Sequence, residues 1–145
     1  MPDQQPPLAS LEPGLSVTGR LERADIEALA HAGVRTILNN RPDGEDPGQL
    51  PAGEARRLAE AHGIVYRHIP VTAATLSRAD VDAFAAALRD GPGPVVAHCR
   101  SGTRSTMIWA LTRMRQGEDP AALVALGARN GVDISALPML AAKLL

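Results

Sequence analysis

The sequence predicts an α/β protein with three layers, in which helices cover both faces of a mainly parallel central sheet. Short runs rich in β-branched residues alternate with longer helix-like segments, which is the order that βαβ units produce. The run PVVAHC at residues 94–99 is almost wholly apolar, as expected for a strand buried on both faces. Glycine or proline separates most of the segments, so each of them has a marked beginning or end.

The strands are predicted from short apolar runs that end at turn-forming residues. LSVTG is β-branched and bounded by glycines, and VRTILN runs directly into the turn-rich stretch RPDGEDPGQLP. Both patterns are typical of strands that leave a sheet through a surface loop. Strands are therefore predicted at residues 15–19, 34–39, 64–71 and 94–99.

The helices are predicted from apolar residues at helical spacing and from the signals at their ends. The stretch ADIEALAHA places Ile26 and Leu29 on one face and is followed by Gly33. Ser77, with Asp80 three residues later, has nearly the spacing of a capping box and predicts a helix start. Helices are predicted at residues 24–32, 51–63, 76–91 and 103–116, followed by helical segments at 119–131 and 134–145.

Length and composition are those of one ordinary globular domain. The chain has 145 residues, of which 45% are hydrophobic and 21% charged. We expect a single domain at residues 14–145, preceded by a flexible, proline-rich tail at residues 1–13. The net charge of −1 does not indicate nucleic acid or a membrane surface as a partner. The single cysteine and the lack of a long apolar run favour a cytoplasmic protein.

Residues 98–105, HCRSGTRS, combine a nucleophile with an anion-binding loop. Cys99 ends an apolar strand, and the following helix start offers free N–H groups and a dipole that attract anions. The same field favours the thiolate form of Cys99. Gly102 allows the turn, and Arg104 supplies a two-pronged donor for phosphate oxygens. Cys99 is therefore predicted to attack phosphorus and form a cysteinyl-phosphate. The predicted phosphate-binding residues are Arg100, Ser101, Gly102, Thr103, Arg104 and Ser105, of which Ser105 also hydrogen-bonds the sulfur.

Other interpretations of the same loop stay open. Four residues separate Cys99 from Arg104, and the active loop of rhodaneses, which carries sulfur as a cysteine persulfide, has the same length. A rhodanese-like sulfurtransferase is therefore the alternative function. A protein that binds phosphorylated ligands without turnover is the second alternative. A buried, inert cysteine is common in proteins, but it does not account for the strand, glycine, hydroxyls and helix found together.

Three segments resemble a known family. HCRSGTRS is similar to the HC…R-S/T signature of cysteine-dependent phosphatases, and LSVTGRLERADIEALAHAGVRTILNNRPDGE is similar to their dual-specificity branch. With the HIPV strand, these segments resemble the phosphatase-like domain of the beta-lactamase hydrolase-like family over residues 15–115. The resemblance implies a cysteine-dependent-phosphatase-like fold. It also implies that Cys99 is the nucleophile, Arg104 the phosphate-binding arginine, and His98 a supporting residue behind the cysteine.

The sequence offers several carboxylates as the proton donor. Dual-specificity phosphatases place an aspartate in the loop after a strand like HIPV, where this chain has TAATLS. Asp43, with Glu45 and Asp46, lies in a loop that should face the cysteine, because both loops follow parallel strands. Asp43 is the predicted general acid, a role that contributes about 10²–10⁴-fold to a rate. Arg41 is expected either to join the phosphate site or to pair with Asp43.

The expected substrate is a phosphorylated protein or a small phosphomonoester, and no cofactor is expected. The histidines show no ligand spacing, so no metal site is predicted. Trp109 and Phe84 are expected in the core, whereas Tyr66 can face either way. A deep phosphotyrosine slot is therefore not indicated, and the sequence leaves the oligomeric state open.

Overall fold

The computed structural model describes residues 5–145 and confirms the three-layer α/β fold. The strands of its sheet are β1 (Ala9–Glu12), β2 (Leu15–Thr18), β3 (Thr36–Asn39), β4 (Val65–His68) and β5 (Val95–His98). They lie in the order β1-β2-β5-β3-β4. The last four in this order are parallel to one another, and β1 is antiparallel to β2 at one edge.

The helices begin and end close to their predicted positions. They are α1 (Arg23–His31), α2 (Ala52–Ala61), α3 (Arg78–Asp90), α4 (Thr103–Arg115), α5 (Pro120–Arg129) and α6 (Leu137–Leu144). The capping box predicted for α3 is confirmed, because the Ser77 and Asp80 side chains each accept the other residue's backbone N–H. Within residues 5–145, no helix has the length and apolar character needed to cross a membrane.

Side-chain alternation along the strands divides the core into two layers. In β3, Ile37 packs with α1 and α2, whereas Leu38 packs on the opposite face with α3 and α4. In β5, Val96 belongs to the first layer, and Val95 and Ala97 belong to the second. Successive residues of a strand point to opposite faces, so a strand that is apolar throughout is covered on both sides. This arrangement buries β5 at the centre of the sheet.

Strand β1 corrects the prediction of a flexible tail over residues 1–13. Leu11 is buried against the core, and the Thr18 hydroxyl donates a hydrogen bond to the Pro7 carbonyl at 2.7 Å. A four-residue edge strand among prolines carries little periodicity, which is why the sequence pattern does not reveal it. Residues 1–4 of the predicted tail lie outside the described residues.

The carboxyl ends of the parallel strands form one edge of the sheet. Thr18, His98, Asn39 and His68 are in register across β2, β5, β3 and β4. The loops that follow these residues therefore open at the same level. Ligands of open α/β sheets bind at this edge. The sequence prediction that the cysteine loop and the loop after β3 share an edge is thus confirmed.

Candidate active site

The cysteine turn joins the central strand β5 directly to α4. Cys99 has no exposed surface, and the backbone N–H of Gly102 donates a hydrogen bond to its sulfur at 3.0 Å. Gly102 has a φ of 91°, in the left-handed region that glycine adopts without strain, and it immediately precedes the first residue of α4. The sulfur therefore lies beside a backbone donor at a helix N-terminus, where a negative charge is stabilised.

The loop after β2 packs closely against this turn. The backbone N–H of Arg20 donates to the carbonyl of Arg100 at 3.2 Å. A Cβ added to Gly19 would lie 2.9 Å from the same carbonyl oxygen, which is closer than real side chains approach. Glycine at position 19 thus lets the two loops meet. The contact fixes the path of the cysteine turn from outside.

Ser105 occupies a different place from the one predicted. Its hydroxyl donates to the Asn40 side-chain oxygen at 2.8 Å instead of bonding the sulfur, and the residue is fully buried. The Asn40 amide in turn donates to the Ile69 carbonyl at 2.9 Å. Ser105 therefore ties α4 to the ends of β3 and β4. The other two hydroxyls of the segment, those of Ser101 and Thr103, lie 3.2 Å apart in an exposed contact.

Arg104 is held by two partners from other loops. Its two terminal nitrogens donate to both oxygens of Glu45, at 2.6 and 2.8 Å, and one of them also donates to the Val71 carbonyl at 3.0 Å. The hydrogen bond to Glu45 is the main cause of the raised pKa of Arg104, and the nearby Cys99 sulfur also raises it. Arg104 thus lies beside the sulfur and joins the cysteine turn to the loop after β3, residues 40–48, which is called the facing loop below.

Arg41 is a residue of the facing loop and pairs with two carboxylates of the same loop, neither of which is Asp43. It is buried, and its guanidinium contacts the carboxylates of Glu45, at 3.2 Å, and Asp46. Asp46 also reaches Arg100, at 3.2 Å. The predicted pairing of Arg41 with Asp43 is thus wrong, because Arg41 pairs with Glu45 and Asp46, and its role at the phosphate site stays a prediction. Arg41 instead fixes the two carboxylates that contact the arginines of the cysteine turn.

Asp43 contacts the start of α2. Its carboxylate accepts the backbone N–H of Ala52 at 2.8 Å, a contact that satisfies a free donor at a helix N-terminus. Glu45 and Asp46, not Asp43, contact the arginines of the cysteine turn. The side chains that follow β4, where dual-specificity phosphatases place their acid, include Thr72 and Thr75, which hydrogen-bond each other at 2.9 Å.

His98 immediately precedes Cys99 at the end of β5, and its side chain is buried. Its side chain is 6% exposed, and burial lowers its pKa to about 4 against the opposing effect of the Cys99 backbone. Its Nδ1 has no hydrogen-bond partner among the described residues. The imidazole is therefore neutral at physiological pH and adds no positive charge beside Cys99.

The aromatic side chains do not line the site. Trp109, Phe84 and Tyr66 are all buried, and the structure thereby decides the orientation of Tyr66. The Tyr66 hydroxyl accepts a hydrogen bond from the Asn39 amide at 2.8 Å, and burial raises its pKa to about 12. In the described part of the chain, no three His, Cys, Asp or Glu side chains group as metal ligands.

Comparison with known sequences places the chain in a family. Residues 7–116 match the family described as "Beta-lactamase hydrolase-like protein, phosphatase-like domain". The beta-lactamase hydrolase-like protein of Agrobacterium fabrum is 38% identical over 103 residues, which make up 71% of this chain and 24% of that protein. The chain spans only about a quarter of the length of the curated relatives that it matches.

Solved structures show the same fold. A phosphatase-like protein of Neisseria meningitidis superposes with a TM-score of 0.82 at 29% identity, covering 92% of this chain and 95% of the other. The kinase-associated phosphatase, solved with its catalytic cysteine replaced by serine, gives a TM-score of 0.68 at 17% identity over 90% and 86% of the two chains. The chain therefore belongs to the phosphatase-like domain family of the beta-lactamase hydrolase-like proteins, and its fold is that of the cysteine phosphatases.

Proposed function

We propose that the protein hydrolyses phosphate monoesters through a cysteinyl-phosphate intermediate on Cys99. The observation that carries the proposal is the convergence of three groups on one sulfur. They are the N–H of Gly102 at 3.0 Å, the N-terminus of α4, and the guanidinium of Arg104. Together they stabilise a thiolate and provide donors for the oxygens of a phosphoryl group.

The reaction has two steps. The Cys99 thiolate attacks phosphorus, so that an S–P bond forms while the P–O bond to the leaving group breaks and the leaving group takes the electron pair. Water then attacks the cysteinyl-phosphate, the S–P bond breaks, and inorganic phosphate and the thiolate are released. Free N–H groups of the turn and Arg104 bind the phosphoryl oxygens in both steps. Ser101 and Thr103 belong to the same segment, and we expect their hydroxyls to contact the same oxygens.

Entry of a substrate requires a small rearrangement. Cys99 has no exposed surface, so the side chains around it must move before a phosphoryl group contacts the sulfur. The side chains of Arg104 and Glu45 are each about a quarter exposed. Glu45 lies in a loop, and Arg104 lies in the first turn of α4. Loop side chains move more readily than a packed core.

The substrate class follows from the family and from the site. The matched family is phosphatase-like, which favours a phosphorylated protein or a small phosphomonoester as substrate. The three aromatic side chains are buried, so none of them is available to stack on the ring of phosphotyrosine. The proposal therefore favours substrates that are held through their phosphoryl group. Asp43 is the general acid predicted from the sequence, but its carboxylate accepts the backbone N–H of Ala52 here, so the proposal does not rely on it.

Hydrolysis of para-nitrophenyl phosphate by the wild type and by Cys99→Ser tests the proposal. The leaving group of this substrate departs without protonation, so the reaction does not depend on a general acid. We expect the serine variant to lose activity by at least about 10⁴-fold, because the nucleophile is removed. Equal initial rates in two folded proteins would contradict the proposal.

A second assay separates sulfur transfer from phosphoryl transfer. If the wild type releases no nitrophenol, the same preparation is given thiosulfate and cyanide. Formation of thiocyanate that Cys99→Ser abolishes would replace the proposed function by the sulfurtransferase alternative. Binding of inorganic phosphate without either activity would indicate a ligand-binding domain.

A further inference from the structure

Arg104 has two donors left after its contacts with other loops are counted. A guanidinium carries five N–H groups in a rigid plane. Two of them bind the oxygens of Glu45, and a third binds the Val71 carbonyl. The remaining groups are the Nε–H and one N–H of Nη2, which project in parallel from the same edge of the plane, and the Arg104 side chain also lies within hydrogen-bonding reach of the Cys99 sulfur. Glu45 thus occupies the end of the guanidinium and leaves the two-pronged edge for the sulfur and for phosphate oxygens.

Glu45 itself is held in place from a second side. Arg41 is buried, and its Nε donates a hydrogen bond to Glu45 at 3.2 Å. A terminal nitrogen of the same guanidinium binds the Asp46 carboxylate. The Arg104 hydrogen bond, reinforced by Arg41, keeps the pKa of Glu45 below its usual value despite partial burial. The carboxylate therefore carries a negative charge at neutral pH and has no proton to give.

The other carboxylates at this edge of the sheet are also engaged. Asp46 contacts Arg41 and Arg100, and Asp43 contacts the backbone of Ala52. Three more acidic residues near the edge are part of the capping boxes at helix starts. These are Glu22 and Asp25 at α1 and Asp80 at α3. Each of these six carboxylates is thus bound to an arginine or to the backbone N–H groups of a helix start.

We propose that Glu45 and Asp46 position the arginines of the cysteine turn instead of donating protons, and that the site therefore favours substrates whose leaving group needs no proton, namely phosphoanhydrides and acyl phosphates. The proposal rests on the phosphatase function proposed above. When Cys99 attacks such a substrate, the P–O bond breaks and the leaving group departs as a phosphate or carboxylate anion. These anions are stable without a proton, whereas an alkoxide from an alkyl phosphate is not. In the second step water releases inorganic phosphate and restores the thiolate.

A set of substrates that differ in their leaving group tests the proposed substrate class. Phosphate release is measured from pyrophosphate, acetyl phosphate and glycerol 3-phosphate, whose leaving groups are a phosphate, a carboxylate and an alkoxide. We expect kcat/KM for at least one of the first two to exceed that for glycerol 3-phosphate by about 10²-fold or more, the range that a general acid contributes. Comparison of kcat/KM for pyrophosphate and for acetyl phosphate shows whether the site prefers a phosphoanhydride or an acyl phosphate. Equal kcat/KM values for all three would overturn the proposal.

Glu45→Gln distinguishes a positioning residue from a general acid. Loss of a charge-assisted contact should lower kcat/KM by about ten- to a hundredfold, mostly through KM, and by the same factor for para-nitrophenyl phosphate and for phenyl phosphate. A general acid would instead show a larger loss for phenyl phosphate, because its leaving group needs the proton more. Glu60→Gln is the control, since Glu60 is an exposed carboxylate of α2 with its own arginine partner, Arg56, at 3.9 Å.

A measurement of inorganic phosphate binding tests the positioning role of Glu45 independently of whether the protein is a phosphatase. The Kd is measured by calorimetry for the wild type, Glu45→Gln and Glu60→Gln, and it requires no turnover. We expect Kd to rise about tenfold or more only in Glu45→Gln. An unchanged Kd would remove the positioning role, and a lower Kd would show that Glu45 competes with phosphate for Arg104. If the wild type hydrolyses no substrate, the proposed function fails while this binding result still decides the role of Glu45.

Discussion

The two loops that form the site are built in different ways. Residues 98–105 are fixed mainly by the backbone, through a strand end, a glycine at a φ of 91° and the start of α4. Residues 40–48 are fixed mainly by ion pairs, with Arg41 beneath and Glu45 and Asp46 above it. Residues 98–105 are mostly buried or half-buried and are shaped by neighbouring residues of the chain, whereas residues 40–48 are partly exposed and charged. Arg104 connects the two segments, because its backbone belongs to residues 98–105 and its side chain binds Glu45 of residues 40–48.

This difference explains how the site can hold the sulfur in a fixed position while the ion-paired loop moves. A turn held by backbone geometry keeps the sulfur and its N–H donors in place, since the core on both faces of β5 does not yield easily. A loop held by partly exposed ion pairs is less costly to move. We therefore assign attack on phosphorus to the first loop and orientation of Arg104 to the second. Changes in either loop should have separable effects.

Among the substitutions that test this comparison of the two loops, Arg104→Ala should have the largest effect, because it removes the contact between them. In Arg104→Ala, kcat/KM for para-nitrophenyl phosphate should fall about 10²–10³-fold through loss of charge stabilisation in the transition state. Arg104→Lys should recover only part of this loss, since an ammonium lacks the two-pronged edge. Initial rates over a range of substrate concentrations measure both variants.

A second arginine of the same helix serves as the control for Arg104. Arg115 lies at the last turn of α4 and pairs with Asp82, far along the helix from Cys99. Arg115→Ala should keep the wild-type kcat/KM. Full activity in Arg104→Lys would show that charge alone suffices and that the orientation set by Glu45 has no role.

Acid should affect the buried side of the site before it affects the charged loop. The pKa of His98 is about 4 in the folded protein and near 6.5 when unfolded. The unfolded chain therefore binds the proton first as the pH falls below 6.5, and stability decreases until about pH 4, by up to about 3 kcal/mol. Glu45 also has a lowered pKa, so its contribution is lost only below its ordinary value of 4.5.

Urea unfolding at several pH values between 7 and 4 measures this loss. The decrease in the free energy of unfolding between pH 6.5 and pH 5 should be much smaller in His98→Gln than in the wild type. His62 is exposed at the end of α2 and provides the matched change. His62→Gln should keep the wild-type slope. An equal slope in His98→Gln would mean that another group takes up the proton.

Gly102→Ala should have the smallest effect on stability and a selective effect on activity. An added Cβ meets no atom closer than 3.7 Å, so the expected cost is the backbone strain at positive φ, about 1 kcal/mol. Gly14 has a φ of 84° and nothing within 4 Å of its Cβ position, so Gly14→Ala imposes the same strain in the turn between β1 and β2. Thermal unfolding should shift alike in both variants, whereas only Gly102→Ala should lose activity. Equal activities would show that the turn tolerates distortion.

The sequence predicts the backbone-built loop better than the ion-paired one. The strand, the glycine and the helix start around Cys99 follow from local patterns, because each depends on neighbouring residues in the chain. The contacts of Glu45 and Asp46 do not, since they join residues that are distant in sequence and compete for the same arginines. Asp43 was an equally plausible candidate in the pattern, but only the folded chain shows that its carboxylate binds Ala52.

Two other differences have the same origin. Ser105 belongs to the signature of the loop, yet its hydroxyl is turned toward Asn40 by the packing of α4 on β3. Strand β1 depends on pairing with β2, and its own residues carry too weak a pattern to indicate a strand. Long-range packing decides both features. Local periodicity was sufficient for the order of the other strands and helices.

Trapping the intermediate tests the central claim most directly. The wild-type protein is mixed with para-nitrophenyl phosphate, quenched within the first turnovers, digested, and examined by mass spectrometry under conditions that preserve thiophosphate esters. The account predicts an added mass of one phosphoryl group on the peptide that contains Cys99, which disappears when the substrate is exhausted. Turnover with no phosphoryl group on that peptide, or with the group on another residue, would contradict it.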